Sequence, residues 1–175
     1  QKGEGGVVQN MNEAAKYYRM AADKGNAQAS YNFGICLSKG EGVEEDKNGA
    51  AYFLKTAAQM GHVDAMFQYG VMLDDGDGIL KNKPKALEYY KLAAQEGNDH
   101  AMFMCGTMLS FGKGVTQDCT EGLKYLKMAI EKGNVDAMYL LGMIFHAAEN
   151  EKEAVIYFKM AAEKGHVNSC FHYAE

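Results

Sequence analysis

Apolar side chains recur along this chain with a helical period set inside a longer one. Ala29, Phe33, Cys36 and Leu37 stand at i, i+4, i+7 and i+8, and the spacing returns at Ala65, Tyr69, Met72 and Leu73, at Ala101, Cys105, Met108 and Leu109, and at Ala137, Leu141, Ile144 and Phe145. Residues so spaced share one face of an α-helix, so each set predicts an amphipathic helix with a buried stripe. A second pattern follows each first one. Small residues at Ala50, Ala86, Gly122 and Ala154, aromatics at Phe53, Tyr89, Tyr125 and Tyr157, and alanines at Ala57, Ala93, Ala129 and Ala161 predict a second helix whose small and aromatic face meets the first.

Glycines punctuate the pattern. Gly25, Gly61, Gly97 and Gly133 fall thirty-six residues apart and Gly165 thirty-two further on, a period that means stacked helix pairs. The chain divides into a partial repeat over about 1–25, full repeats over 26–61, 62–97, 98–133 and 134–165, and a partial one over 166–175, all read as one array and as a piece of a longer one. Asn26, His62, Asn98, Asn134 and His166 follow the punctuating glycines where an N-cap belongs, and His62 and His166 are read as cap substitutes rather than catalytic groups. First helices are expected to stop at the G-x-G pairs Gly40/Gly42, Gly76/Gly78 and Gly112/Gly114, and second helices to start after Asp46, Asn82 and Asp118. The first partial repeat is expected to hold a helix from about Asn10 to Lys24. Between Gly142 and Asn150 the loop glycines are missing, which predicts a much tighter turn there.

Two columns suggest further roles. A glycine inside each first helix, at Gly34, Gly70, Gly106 and Gly142, costs ~1 kcal/mol against alanine, so it must permit a close approach, expected to be that of a neighbouring helix backbone. A basic column, Arg19, Lys55, Lys91, Lys127 and Lys159, reads as a solvated face with a favourable helix dipole.

Composition narrows the classes. The 175 residues are 47% hydrophobic and 23% charged, ordinary for a folded chain, and the net charge of −5 with no basic segment argues against nucleic acid as ligand. The longest charge-free apolar run, Ala101 to Gly112, is too short to span a bilayer, so no membrane insertion of this segment is expected. Cys36, Cys105, Cys119 and Cys170 lack a repeat-linked pairing pattern. Cys36 and Cys105 fall in core columns, Cys170 matches a methionine column, and Cys119 lies beside a loop. Four reduced thiols favour a reducing, cytoplasmic setting, with the endoplasmic reticulum lumen or periplasm left open.

The recurring motif A-x-x-x-[aromatic/Leu]-G-x-x-[Leu/Phe]-x-x-G-x-G-V-x-x-[Asp/Asn]-x-x-x-A-x-x-[Tyr/Phe]-x-x-x-A-A-x-x-G closely resembles the Sel1-like repeat, a relative of the tetratricopeptide repeat, over essentially the whole chain. The resemblance implies an all-α fold, an α/α solenoid of helix-turn-helix repeats, expected here as a right-handed superhelix with nine helices in whole or part. It also implies an adaptor or scaffold without catalytic residues. Alternatives stand beside it: a structural spacer, or a thiol- or metal-dependent hydrolase.

The chemistry for those alternatives is thin. Asp74-Asp75-Gly76-Asp77-Gly78 resembles a calcium loop only until the register puts Pro84 where the bidentate glutamate belongs. No Cys-x-x-Cys or His-Glu-x-x-His spacing occurs, and nothing orients a base toward Cys119, so no metal, cofactor or catalytic residue is assigned.

A binding face has a positive sign. On a helical wheel the positions opposite the first-helix stripe form an aromatic column, Tyr31, Phe67, Phe103, Tyr139 and Phe171, followed by Ile35, Val71, Thr107 and Met143. Ser38, Asp74, Ser110 and His146 come next. First helices line the concave side of such arrays, so these residues, with Asp64, Asp75, His100 and Asp136, are the candidate site for a protein or peptide partner carrying apolar and basic residues. The other reading of the rings, packing against the next repeat's helix, is left open.

Overall fold

The computed structural model describes residues 3–169, with side chains from Asn10 onward. Cys170 and Phe171 lie outside the described residues. The described residues hold nine full helices and no strand, α1 (Gly3–Ala22), α2 (Ala27–Lys39), α3 (Lys47–Gln59), α4 (Val63–Asp75), α5 (Lys83–Gln95), α6 (Asp99–Phe111), α7 (Cys119–Glu131), α8 (Val135–Ala147) and α9 (Glu151–Glu163), and residues 167–169 are helical as well. They form two compact halves, residues 1–96 and 97–175. In the first, α1 packs on α2, α2 on α3, α3 on α4 and α4 on α5; in the second, α6 packs on α7, α7 on α8 and α8 on α9.

Local chemistry sets the boundaries. Asn26, Asn98 and Asn134 cap the first helices by accepting the N–H of Ala29, Ala101 and Ala137, and His62 does the same for Ala65 through Nδ1 at 3.2 Å. Asp46, Asn82, Asp118 and Asn150 cap the second helices. The first helices of the three looped repeats end on the left-handed glycines Gly40, Gly76 and Gly112. Gly42 and Gly78, the second glycines of their loops, are needed for space as well as for positive φ. A methyl at Gly42 would collide with the Met11 carbonyl in the middle of α1, and one at Gly78 would lie 2.6 Å from the Lys47 carbonyl at the start of α3, so each loop rests on the preceding second helix.

The loop-less repeat keeps the hydrogen bond that anchors the start of each second helix. Asp46, Asn82 and Asp118 donate their N–H to the carbonyls of Leu37, Leu73 and Leu109. Asn150 donates to Phe145, the residue in the same column, at 3.0 Å. The anchor is unchanged while the loop above it shrinks to a turn closed by Glu149 at φ 57°.

Two expectations need correction. First, α1 begins at Gly3, not near Asn10. The loop glycines Gly40, Gly42, Gly76 and Gly78 stand at positive φ and break the chain, whereas Gly3, Gly5 and Gly6 are taken into the helix. Second, the in-helix glycines mainly make room for a side chain rather than a neighbouring backbone. A methyl on Gly34, Gly70, Gly106 or Gly142 would come within 2.9, 2.7, 2.6 and 2.7 Å of Leu54, Tyr90, Leu126 and Phe158, from the second helix of the same repeat. This column, essentially fully buried, is the core. The neighbouring aromatics are half-buried and meet first-helix rings edge-on, as Phe53 meets Phe33 and Tyr89 meets Tyr69, both at 4.8 Å.

Candidate functional site

The first-helix face is built from residues the core stripe leaves over, and each half presents its own part. In the N-terminal half, Tyr31, Ile35, Phe67 and Val71 are half-buried while Asp64 and Asp75 are exposed. Tyr31 stacks on the capping imidazole of His62 at 4.5 Å, and Phe67 leans on the core ring of Tyr90 at 5.8 Å. The C-terminal half repeats the arrangement. Phe103, Thr107, Tyr139 and Met143 are half-buried, His100 and Asp136 are exposed, and Tyr139 lies between His166 at 4.4 Å and Phe158 at 5.9 Å. The rings therefore pack on one side against a cap or the core and keep part of their surface open.

The capping side chains work in both directions. His62 Nδ1 accepts the Ala65 N–H, which leaves the proton on Nε2 to donate to Gln28 Oε1 at 3.1 Å. Asn134 likewise accepts from Ala137 and donates through Nδ2 to Asp99 at 2.8 Å. One polar side chain thus starts a helix and ties it to the first helix of the previous repeat.

Charges divide between the helix types. The first helices α2, α4, α6 and α8 carry Asp64, Asp74, Asp75, Asp99 and Asp136 against the single cation Lys39. Asp64 acts directly on the aromatic column: the Tyr31 hydroxyl is pushed above its ordinary pKa of 10.0, first by burial and then by that carboxylate. Asp74 departs from the role assigned to it. It is only 13% exposed and its Oδ1 lies 2.9 Å from Lys83 Nζ, so an internal cation already neutralises it. Asp77 is held by Lys47 at 2.7 Å, which ties up a second carboxylate of the Asp74–Gly78 run. Thr107 buries its hydroxyl, and Ser110 is buried outright, so neither offers that group to a partner.

The thiols differ from expectation in one respect. Cys105 is fully buried and Cys119 exposed, but Cys36 is only half-buried, because it lines an open cleft. That cleft measures about 280 Å³ and lies between α1 and α2, off the first-helix wheel. Its α1 wall holds Ala14 and Tyr18, half-buried here, whose columns at Ala50 and Leu54 and at Ala86 and Tyr90 are sealed by the first helix of the same repeat. Among the described residues no cluster of three or more metal-binding side chains occurs, and no described helix is long and apolar enough to cross a membrane.

Comparison with known proteins places the chain. The Sel1 repeat family model matches residues 1–26, 27–62, 63–98, 99–134 and 135–166. A Sel1 repeat protein from Oxalobacter formigenes is 30% identical with a TM-score of 0.80, over 90% of this chain and 66% of that one. The protective antigen c5321 of uropathogenic Escherichia coli, with an SLR fold, is 22% identical with a TM-score of 0.86, over 95% of this chain and 40% of its own. Immunity protein Pa5087 from Pseudomonas aeruginosa, at 23% identity and a TM-score of 0.58 over 90% and 60%, shares the helical architecture. This chain thus spans less than two thirds of the length of these three structures. No curated protein matches.

Proposed function

Because the chain belongs to the Sel1 repeat family, whose members generally act as protein-interaction scaffolds and are typically not enzymes, we propose that it holds a partner segment along the face of its first helices. The partner is an extended peptide or a helix carrying apolar and basic residues. One observation carries this reading: in both halves a half-buried ring stands beside an exposed aspartate, Tyr31 and Phe67 with Asp64, and Tyr139 with Asp136. Partly buried rings give contact area at little cost in side-chain entropy, and carboxylates select the sign of the partner's charge. The setting proposed is a reducing compartment such as the cytoplasm, which suits the buried thiol of Cys105.

The test is a footprint. A partner captured from a lysate is added back, and amide hydrogen exchange is compared with and without it. Protection over α2, α4, α6 and α8 that exceeds that over α3, α5, α7 and α9 supports the proposal. Protection confined to the second helices refutes it.

A further inference from the structure

Of the five first-helix caps, three are amides and two are imidazoles. Asn26, His62, Asn98 and Asn134 stand in one column, and each accepts the N–H three residues on. His62 does so through Nδ1 at 3.2 Å while its Nε2 meets Gln28 Oε1 of α2 at 3.1 Å. The ring also lies flat on Tyr31, with centroids 4.5 Å apart and planes 16° from parallel. His166 repeats the plan, accepting the Ser169 N–H at 3.2 Å and stacking on Tyr139 at 4.4 Å. Where the cap is Asn98 or Asn134, the ring of the repeat before is Phe67 or Phe103. Asparagine is enough to start a helix, so histidine brings something besides the cap.

It brings a proton equilibrium. Imidazole gains its charge over about pH 5–8, whereas an amide does not titrate there. The cap uses the Nδ1 lone pair and the tie to Gln28 uses the Nε2 hydrogen, so only the neutral ring serves both. A second proton has one place to go, Nδ1, where the Ala65 N–H already points. It sets a donor against a donor and puts a positive charge on the positive end of α4. The surrounding groups do not undo this. Tyr31 from α2 offers its ring face, and Asp64 on the first turn of α4 acts on that tyrosine, so both attract a cation but neither replaces the lost lone pair. From α3, which runs into the cap, come Lys47 and Lys55 and no acid, and the last turn of α5 carries Lys91 with Glu96 beyond it. The neutral ring's contribution is therefore full above the imidazole range and is lost as pH falls through it.

We propose that His62 is a proton-operated clasp on the first-helix face of the N-terminal half. Neutral, it caps α4, ties it to α2 and steadies Tyr31. Protonated, it frees the Ala65 N–H and sets a positive charge against Tyr31, on the face where Asp64 offers its carboxylate to the partner's basic residues. Both changes weaken the hold on a basic segment, so the partner is kept at neutral pH and let go in mild acid. This rests on the first-helix reading and adds its regulation. Asn134, which caps α8 and ties it to Asp99 of α6, is the same clasp built on an amide.

Nitrogen NMR of the full chain reads the ring directly and needs no variant. Above the imidazole range Nδ1 should carry no proton and Nε2 should carry one, and on acidification the Ala65 amide signal should move with the His62 titration. Urea unfolding of the wild type and of His62→Asn at about pH 7.5 and about pH 5.5 then weighs the cap. Over that interval the folding equilibrium of the wild type should fall ~5-fold further than that of His62→Asn, the size of one N-cap. The other histidines, among them His146 on Glu151, are common to both proteins and cancel. For binding, the probe is a fluorescein-labelled decapeptide of alternating leucine and lysine, followed by fluorescence anisotropy. Its affinity should drop at least ~5-fold further for the wild type than for His62→Asn across the same interval. A proton on Nδ1 in the neutral ring, an Ala65 amide indifferent to the ring's titration, or the same pH dependence of stability or of peptide affinity in the two proteins would overturn the proposal. So would failure of the peptide to bind the wild type at neutral pH; if the Ala65 amide nonetheless follows His62, the titrating cap stands and it is the first-helix reading that falls. If the peptide binds and Ala65 does not follow, the binding face stands and the clasp falls.

Discussion

The α1–α2 and α3–α4 clefts of the N-terminal half show how a repeat protein can be uniform in fold and individual in surface. Both carry the glycine that lets the loop settle on the preceding helix and the tyrosine or phenylalanine of the first-helix column. They part at Met11 and Glu41 in one against Lys47 and Asp77 in the other, and along the walls at Tyr18 against Leu54, Ile35 against Val71 and Cys36 against Met72. Columns that build a repeat are held fixed by packing and capping. Columns that bridge successive repeats vary, and at α3–α4 they supply an ion pair, Lys47 with Asp77, where the same columns at α1–α2 hold Met11 and Glu41.

The largest expected effect separates a sealed core position from its counterpart in the open cleft. Tyr90 is fully buried against Gly70 of its own repeat, whereas Tyr18, in the same column, has no first helix of its own repeat against it among the described residues and is half-buried. Tyr90→Ala should cost ~3–5 kcal/mol in urea unfolding, and Tyr18→Ala about half of that or less. Equal losses would mean that burial against the in-helix glycine does not set the cost in this column.

Loop seating gives the next contrast. Gly61 has φ 88° with nothing within 4 Å of a added methyl, while Gly78 has φ 71° and backbone of Lys47 at 2.6 Å. Gly61→Ala should therefore cost only the left-handed penalty of about 1–2 kcal/mol, and Gly78→Ala distinctly more, measured by thermal unfolding. A Gly78→Ala penalty no larger than that of Gly61→Ala would show that the loop does not rest on the preceding helix.

Thiol chemistry should resolve the clefts by rate. Iodoacetamide should modify exposed Cys119 first, half-buried and protonated Cys36 more slowly, and core Cys105 only on unfolding, as read by peptide mass mapping. Cys36 reacting as fast as Cys119 would contradict its place in the cleft wall.

The smallest effect belongs to the ion pair itself. Lys47→Met should lower stability slightly, and less so in added salt. The hydrogen bond to Asp77, and then its charge, raise the Lys47 pKa above its ordinary 10.5, so the pair's contribution is full below that pH and fades as pH rises through the folded value. A wild-type advantage over Lys47→Met that persists unchanged at strongly alkaline pH would rule the pair out as its source.

Much of this was legible from sequence because capping and periodicity are local. Asn26, Asp46 and Gly40 signal their helix ends by chemistry that acts within three or four residues. The core column was harder to read. Phe53 and Leu54 are adjacent and both apolar, and only the partner helix decides which is sealed. The clue was a size relation across helices: wherever the first helix has Gly34, Gly70, Gly106 or Gly142, the second offers Leu54, Tyr90, Leu126 or Phe158. Asp74 misled for a similar reason, because its neutralising Lys83 comes from the next helix and lies on no shared wheel. Of the candidate face, the ring column was visible as a period, whereas the His62 and His166 stacks on Tyr31 and Tyr139 required three dimensions.

The central claim is that the first-helix rings serve binding rather than stability. It is tested most directly by measuring melting temperature and partner affinity together for Phe67→Ala, Phe103→Ala and Tyr139→Ala, with the buried Leu73→Ala as core control. The account predicts that Leu73→Ala loses ~2–5 kcal/mol of stability, while the three ring variants lose much less and give up ~2 kcal/mol or more of binding. Ring variants that melt as early as the control, yet bind the partner with full affinity per folded molecule, would contradict it.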